Sequence, residues 1–367
     1  MKPLLLIAAV ACLVGGSAAP SPAARMCVPV WRTVARPNVP TVNSVAAISP
    51  TDVWLVGSTE KYGTYTTPTL PVLMHWDGRT LRRYPSFTPT DGHGQLTGIS
   101  GIAANDVWAV GTDDGDHYEH TLVVMHWDGA RWRRMPVPRL RGAAFRADVA
   151  EITPDDVWVV GANGADGPVN LHWNGHRWKN WYLETVIPHA DGAFLSAVAA
   201  TSRRDVWAIG TEPSSIDFAG DYPVVVHWNG RDWSNLRVPA DLGGTDGAAV
   251  AGVAAGGAWV AARIMAVVDN HEEGAFLVRY NRRLQPAHTH YVGSSGAGDV
   301  LAAQPFGALL VDGFPDTGPE AFHFDGAYAH WMRTPFSGLK ADLNSLSELS
   351  PTDIWAAGDR LLARYSC

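Results

Sequence analysis

Charged side chains are sparse in this sequence. They make up 17% of 367 residues, and the formal balance is −8 with both signs interspersed. No basic stripe is present to neutralise phosphates, so nucleic acid is not an expected partner. Past the first 24 residues no stretch holds a helical apolar period, and no apolar run is long enough to span a bilayer. A serine nucleophile elbow, a zinc-binding helix motif and a phosphate-cradling glycine loop are all missing. Cysteine is down to three. What the chain has in quantity is 16 Trp, 37 Gly and 25 Pro, with 46% hydrophobic residues. Gly and Pro interrupt helices and supply turn dihedrals, so this mixture suits many short strands around a large core.

The strands come in copies. Leu96–Pro138 reads as four in succession: a (Leu96–Ile102), b (Asp106–Thr112), c (Thr121–Trp127) and d (Ala130–Pro136). Trp54, Trp108, Trp158, Trp207 and Trp355 each sit in Asp-Val/Ile-Trp of a strand b, and Trp259 and Leu310 hold that place in weaker copies. Successive spacings are 54, 50, 49, 52, 51 and 45 residues. A fixed period carrying four strands predicts an all-β fold, a seven-bladed β-propeller of four antiparallel strands per blade. Strands c and d are joined by Asp77-Gly78, Asp128-Gly129, Asn174-Gly175, Asn229-Gly230 and Asp325-Gly326. Such pairs favour the positive φ angles of a two-residue hairpin.

The ends of the chain fit the same scheme. Leu361–Tyr365 matches strand c with no d after it, and Pro29–Arg36 matches d with nothing before it. The first strand is therefore expected to complete the last blade from outside. On the intact copy Trp31 falls on Trp132 and Tyr365 on Trp127, which puts Cys27 and Cys367 in the c–d turn. A disulfide there would replace the missing peptide link; by the chain-entropy model it contributes at most roughly 4–5 kcal/mol. Met1–Ala24 has the layout of a secretory signal peptide, with Lys2, an apolar run over Leu4–Val14 and a small, Pro-rich end. The mature domain is then 25–367, secreted and disulfide-bonded. Lipid attachment at Cys12 is a weaker alternative, because the apolar run before it is very short.

The DVWAVG and HWDGxxW repeats resemble those of secreted bacterial, especially actinobacterial, propeller proteins. The resemblance covers essentially the whole mature chain. It implies an architecture and an exported life, and no reaction. The Asp-Gly-x-x-Trp turn is loosely similar to the Asp-box of sialidase-type propellers, without that motif's Ser/Thr.

His75, His126, His172, His227 and His323 precede the aromatic residue of five c strands. A shared metal is rejected, because ligands must lie about 2 Å from the ion and these sit on different blades. Arg279 and Arg364 also take the place in the other two. The histidines are expected to bond a neighbouring turn. Asp52, Asp106, Asp156, Asp205 and Asp353 are expected to bond their own a–b turns. The b-strand tryptophans should pack blade on blade.

Function is expected where the copies differ, on the face carrying the b–c and d–a loops. Candidate ligand-binding residues there are Asp91, His93, Asp113, Asp116, His117, Tyr118, His189, Asp191, Asp246 and His271. Asp113-Asp114-Gly115-Asp116 has carboxylates that could wrap Ca²⁺, but the rest of an EF-hand loop is absent. No metal or cofactor is expected. The reading is a monomeric, non-enzymatic binding propeller for an extracellular glycan or protein. The alternative is a polysaccharide hydrolase or lyase, which needs two carboxylates about 5–9 Å apart on that face.

Overall fold

The computed structural model describes residues 29–60, 68–114, 120–138, 140, 144–163, 167–212, 222–236, 238, 245–253, 257–265, 273–281, 283–292, 300–304, 307–314, 318–324, 329–332, 343–350 and 352–367. Among them there is no helix. The strands group into seven four-stranded antiparallel sheets. Six of these run in simple chain order. Blade one is a (Thr41–Ser49), b (Asp52–Ser58), c (Pro71–Trp76) and d (Leu81–Tyr84), and blade two is a (Gly94–Ala103), b (Asp106–Asp114), c (His120–Trp127) and d (Trp132–Met135). Each a strand lies beside the a strands of the two flanking blades. The series returns to its start, where Leu343–Ser350 of the last blade meets Thr41–Ser49 of the first. A closed circuit of meander sheets of this kind is a β-propeller.

The last sheet departs from chain order in the expected way. Its strands run Val30–Ala35, Leu361–Ser366, Asp353–Gly358 and Leu343–Ser350, so the N-terminal strand is outermost. Val30 pairs with Ser366 and Trp31 with Tyr365. In blade two the equivalent pair is Trp127 with Trp132, which is the alignment drawn from the sequence. Cys27 lies outside the described residues.

The b strands read as continuous apolar runs because both their faces are covered by neighbouring blades. Val107, Trp108, Ala109 and Val110 are all essentially inaccessible. Trp54 packs among Leu96, Ile99, Val107 and Trp127 of the following blade, and Trp158 among Val206, Val224, Trp228 and Trp233 of the next but one junction. Blade-on-blade packing of the repeated tryptophans is thus observed, with Trp54 at 5.1 Å from Trp127 and Trp158 at 5.4 Å from Trp228.

The a strands pose a different problem. Each is the edge of its own sheet, and its outward amides have no strand to pair with. Side chains from the preceding blade of the circuit answer them. Ser345 Oγ accepts from Val45 N at 3.0 Å, Ser347 Oγ from Ala47 N at 2.9 Å, and Ser100 Oγ from Glu151 N at 3.0 Å. Asp148 takes the amide of Val198 at 2.9 Å. Carbonyls are met in the same manner: Asn43 donates to Leu96 O, Thr97 to Ala147 O and Asn344 to Val42 O. Asn43, Thr97 and Asn344 each sit at a bulge of their strand, which turns a polar side chain towards the neighbour.

The c–d turns correct one expectation. The last ladder pair in blade two is Trp127 with Trp132, and inside it the Asp128 amide donates to Arg131 O at 3.4 Å, so the central residues of the turn are Gly129 and Ala130 and not the Asp-Gly pair itself. Only the glycine is left-handed, with φ of +88° at Gly129. Asp128 Oδ1 instead accepts the amides of Ala130 and Arg131 at 3.0 and 2.9 Å. The aspartate serves as an acceptor bridging the turn rather than as a positive-φ residue. At Asp77 the same pair of amides, from Thr80 and then Arg79, holds the carboxyl down at about 2.

Candidate functional site

The repeated histidines and aspartates find each other, and Asp205 also holds its own a–b turn as expected, accepting from Thr201 Oγ. His75 Nε2 lies 2.7 Å from Asp52 Oδ1, His126 2.7 Å from Asp106, His172 2.8 Å from Asp156 and His227 2.8 Å from Asp205. Each imidazole also lies against its own blade's tryptophan, with centroids 4.2–4.5 Å apart. Trp108 and Trp207 donate their indole N–H to the same aspartates, at 3.2 and 2.7 Å. In the last blade Arg364 replaces histidine. It donates to both oxygens of Asp353 at 2.7 and 2.6 Å, and lies over Trp355. That exchange is the one sequence signal for the pairing: the site asks only for a planar donor. Burial would raise the Asp205 carboxyl, but hydrogen bonds from His227, Thr201 and Trp207 outweigh it and hold the group low. These carboxylates are spent inside the scaffold.

Behind the second of them stands Glu151, from strand a of blade three. Burial first, and the adjoining Asp106 carboxylate second, push Glu151 up to about 9. It carries a proton at neutral pH. Asp148 is raised to about 6 and Glu348 to about 7, both by burial.

On the b–c and d–a face the structure gathers part of the expected set. Asp113 ends strand b of blade two and is 4% exposed. It accepts from Thr90 N at 2.8 Å and Thr90 Oγ at 3.1 Å, and Arg134 lies at 3.3 Å. Its neighbour Asp114 bonds His120 Nδ1 at 2.7 Å, and the Asp114 amide donates to His93 O at 2.8 Å. His93 Nδ1 in turn receives the Thr69 amide at 3.4 Å. Asp113 and His93 therefore tie the d–a segment of blade one to the b–c ends of blades one and two. Thr90, Asp114, His120 and Arg134 complete this network and were not among the expected residues; their spacing along the chain gives no sign of it. Asp113 holds a loop and, with a guanidinium beside it, is a poor cation ligand.

Asp91 is exposed next to Gly92, whose φ is +79°. Asp191 is exposed beside Gly192 at +81°, and His189 is exposed with its amide bonded to Glu212 at 3.0 Å. These last two belong to the junction of blades three and four, not to the Asp113 network. Asp246 lies on the inner strand Thr245–Val253, paired with Arg263. Asp116, His117, Tyr118 and His271 lie outside the described residues. Among the described residues no group of three or more His, Cys, Asp or Glu is placed to hold a metal ion. No helix among them is long and apolar enough to cross a membrane.

At the rim of this face, on blade one, is a groove of about 500 Å³ lined by Leu70, Pro71, Arg83, Tyr84, Ser86 and Phe87, among others. Nothing in the sequence reading pointed to it. Its walls are apolar and aromatic, with one exposed guanidinium.

No protein-family model and no curated protein matches the sequence. Among solved structures the chain is similar to YCF48 bound to D1 peptide, at 14% identity and a TM-score of 0.60, covering 92% of this chain and 97% of that one. YCF48 from Cyanidioschyzon merolae gives 15% identity and a TM-score of 0.60, covering 92% and 99%. The Cps50 (Swd1) β-propeller domain of Myceliophteria thermophila gives 10% and 0.53, covering 92% and 99%. At these identities the likeness is one of fold, and the fold it shows is the β-propeller.

Proposed function

We propose that this chain is an exported, non-catalytic β-propeller whose b–c and d–a loop face binds a protein ligand outside the cell. The observation that carries the reading is the division of labour among polar groups. Those that repeat, the His–Asp–Trp sets, are consumed within the scaffold, while polar groups that differ between blades, such as Asp91, Asp191 and His189, stand exposed at the loops. One structural neighbour is described as bound to a peptide, which fits a protein ligand better than a glycan. Hydrolysis by a carboxylate pair draws no support from the described carboxylates: Asp106 and Glu151 adjoin in the buried junction of blades two and three, and Asp113 is held by Thr90 and Arg134.

Residues 1–24 act as the export signal in this reading, and Cys27 and Cys367 close the ring covalently. The pairing of Val30 with Ser366 supports the latter, because it brings residue 367 to the N-terminal end of the first strand. A photo-crosslinker placed at Asp91 or Asp191 in producing cells should capture a discrete protein partner. The same group at Arg131, in a c–d turn, should not. Equal capture from both faces, or none from either loop position, overturns the reading.

A further inference from the structure

No run of the chain is strongly basic, yet the fold assembles a basic band on the outer strands. The d-strand residue directly opposite the c-strand His or Arg is Arg82 in blade one, Arg133 in blade two, Lys179 in blade three and Arg32 in the last blade. Residues directly opposite in an antiparallel ladder point to the same face. That face is the one carrying the b-strand Trp, which packs on the following blade. The outer strands follow one another without a break: Trp54 of blade one lies 5.2 Å from Trp132 of blade two, and Trp108 of blade two 5.8 Å from Trp178 of blade three. Four consecutive seams, from the last blade round to blade four, therefore carry one cation each in the same place.

The charge along this wall is one-sided. Residues 30–36, 77–84, 128–135 and 174–181 together hold ten Arg and Lys, all exposed, in a chain whose overall balance is −8. They hold two carboxylates, Asp77 and Asp128. Turn amides keep both below the ordinary carboxylate range, and they lie 3.6 Å from Arg82 and 2.7 Å from Arg133. Exposed pairs of this kind contribute little, and a guanidinium has five N–H donors, so most remain for a ligand. Lys179 rests over the Trp181 ring, and Arg32 reaches the Ser366 carbonyl at 3.4 Å. Asp155, which packs against Gly175, is bonded to Arg203. The band stops at blade four. There Asp232 stands in the turn, 3.4 Å from Arg231, and Ser234 takes the place opposite His227.

We infer that this band is a second binding site, and that it holds a flexible, phosphate-bearing polymer chain of the cell envelope. Cations repeated on neighbouring seams suit a ligand whose charges also repeat, because each contact releases a counterion and the gains add. Shape narrows the choice. The outermost strands of a closed circuit form a convex wall, which a flat bilayer meets over one sector only. Duplex DNA, with a persistence length of about 50 nm, bends round such a wall only at high cost. A single flexible chain follows it. Arginine supplies nine of the ten cations, and its planar fork matches two oxygens of a phosphate. The site lies on the wall of the molecule and shares with the loop-face reading only the export of the chain.

The test titrates the purified protein into fluorescently labelled poly(glycerol phosphate) and follows anisotropy at a series of NaCl concentrations. Four contacts should give a slope of about −3 in log affinity against log salt. The double variant Arg82→Gln, Arg133→Gln should bind about tenfold or more weakly, with the slope flattened by about 1.4. Arg231→Gln with Arg283→Gln removes the same charge from exposed positions outside the band, and should stay within about twofold of wild type. Near-UV circular dichroism confirms that each variant keeps its packed tryptophans. Equal losses from the two double variants would reduce the effect to net charge and overturn the inference. So would no binding of the polymer, or tighter binding of poly-glutamate, short duplex DNA or phosphatidylglycerol vesicles than of poly(glycerol phosphate). The loop-face reading is judged separately, by the crosslinks from Asp91 and Asp191.

Discussion

Glu151 should make this protein less stable as pH rises through the neutral range, and the size of the effect can be worked out. An isolated glutamate titrates at 4.5, whereas burial and the Asp106 carboxylate raise Glu151 to about 9 in the folded chain. Below pH 4.5 both folded and unfolded chains hold the proton and nothing is lost. Between the two values the unfolded chain releases its proton and the folded chain keeps it. Each pH unit in that window then costs the fold about 1.4 kcal/mol, reaching about 3 kcal/mol at pH 7 and saturating above pH 9. Glu151→Gln removes the titration while keeping the size and shape of the side chain beside Asp106. Urea unfolding followed by tryptophan fluorescence should give equal stabilities at pH 4.5, with the variant ahead by about 3 kcal/mol at pH 7. Asp148 and Glu348 shift in the same direction, so the wild type and the variant both decline with pH, and only their difference isolates Glu151. Parallel curves for the two proteins, or a variant less stable at pH 7, would refute the placement of a protonated carboxyl beside Asp106.

His126→Ala leaves the buried Asp106 carboxylate with one donor fewer and strips the ring from the face of Trp108. It should cost about 2–3 kcal/mol in the same assay, whereas His126→Arg, which copies the Arg364–Asp353 pair, should recover most of the loss. Cys367→Ser should leave secreted protein with an alkylatable Cys27 and lower its stability by about 2–5 kcal/mol; mass spectrometry of the unreduced wild type showing two free thiols would dismiss the ring-closing bond.

The spacing of the tryptophans and the orphan strands at the two ends were enough to read the architecture, down to Trp31 opposite Tyr365. Both rest on period and complementarity, which a sequence carries directly. The His–Asp pairs escaped because strands b and c are separated by loops of varying length, so partners such as Asp106 and His126 keep no constant spacing. Turn geometry escaped for a subtler reason: Asp-Gly can supply both central residues of a tight turn or straddle its entry, and the Trp127–Trp132 pair with the Asp128 N to Arg131 O bond decides for the second. The groove beside Arg83 and Phe87 is lined by residues that follow no repeat, so nothing in the sequence marked it. Of the loop-face residues, Asp113 and His93 meet in one network, where the role of Asp113 is to hold Thr90. Its short chain distance to Asp114 and Asp116 suggested a ligand cage that Arg134 argues against.

The outermost strand of the last blade is the first to be synthesised, and its ladder partner, Leu361–Ser366, is among the last. Residues 30–35 must therefore wait, unpaired, while some three hundred residues of other blades are made and packed. Completion of the molecule is thus a single late event between distant parts of the chain, slow by its loop-closure entropy. A ribosome stall or proteolytic clip near residue 360 would leave most blades assembled and the circle open.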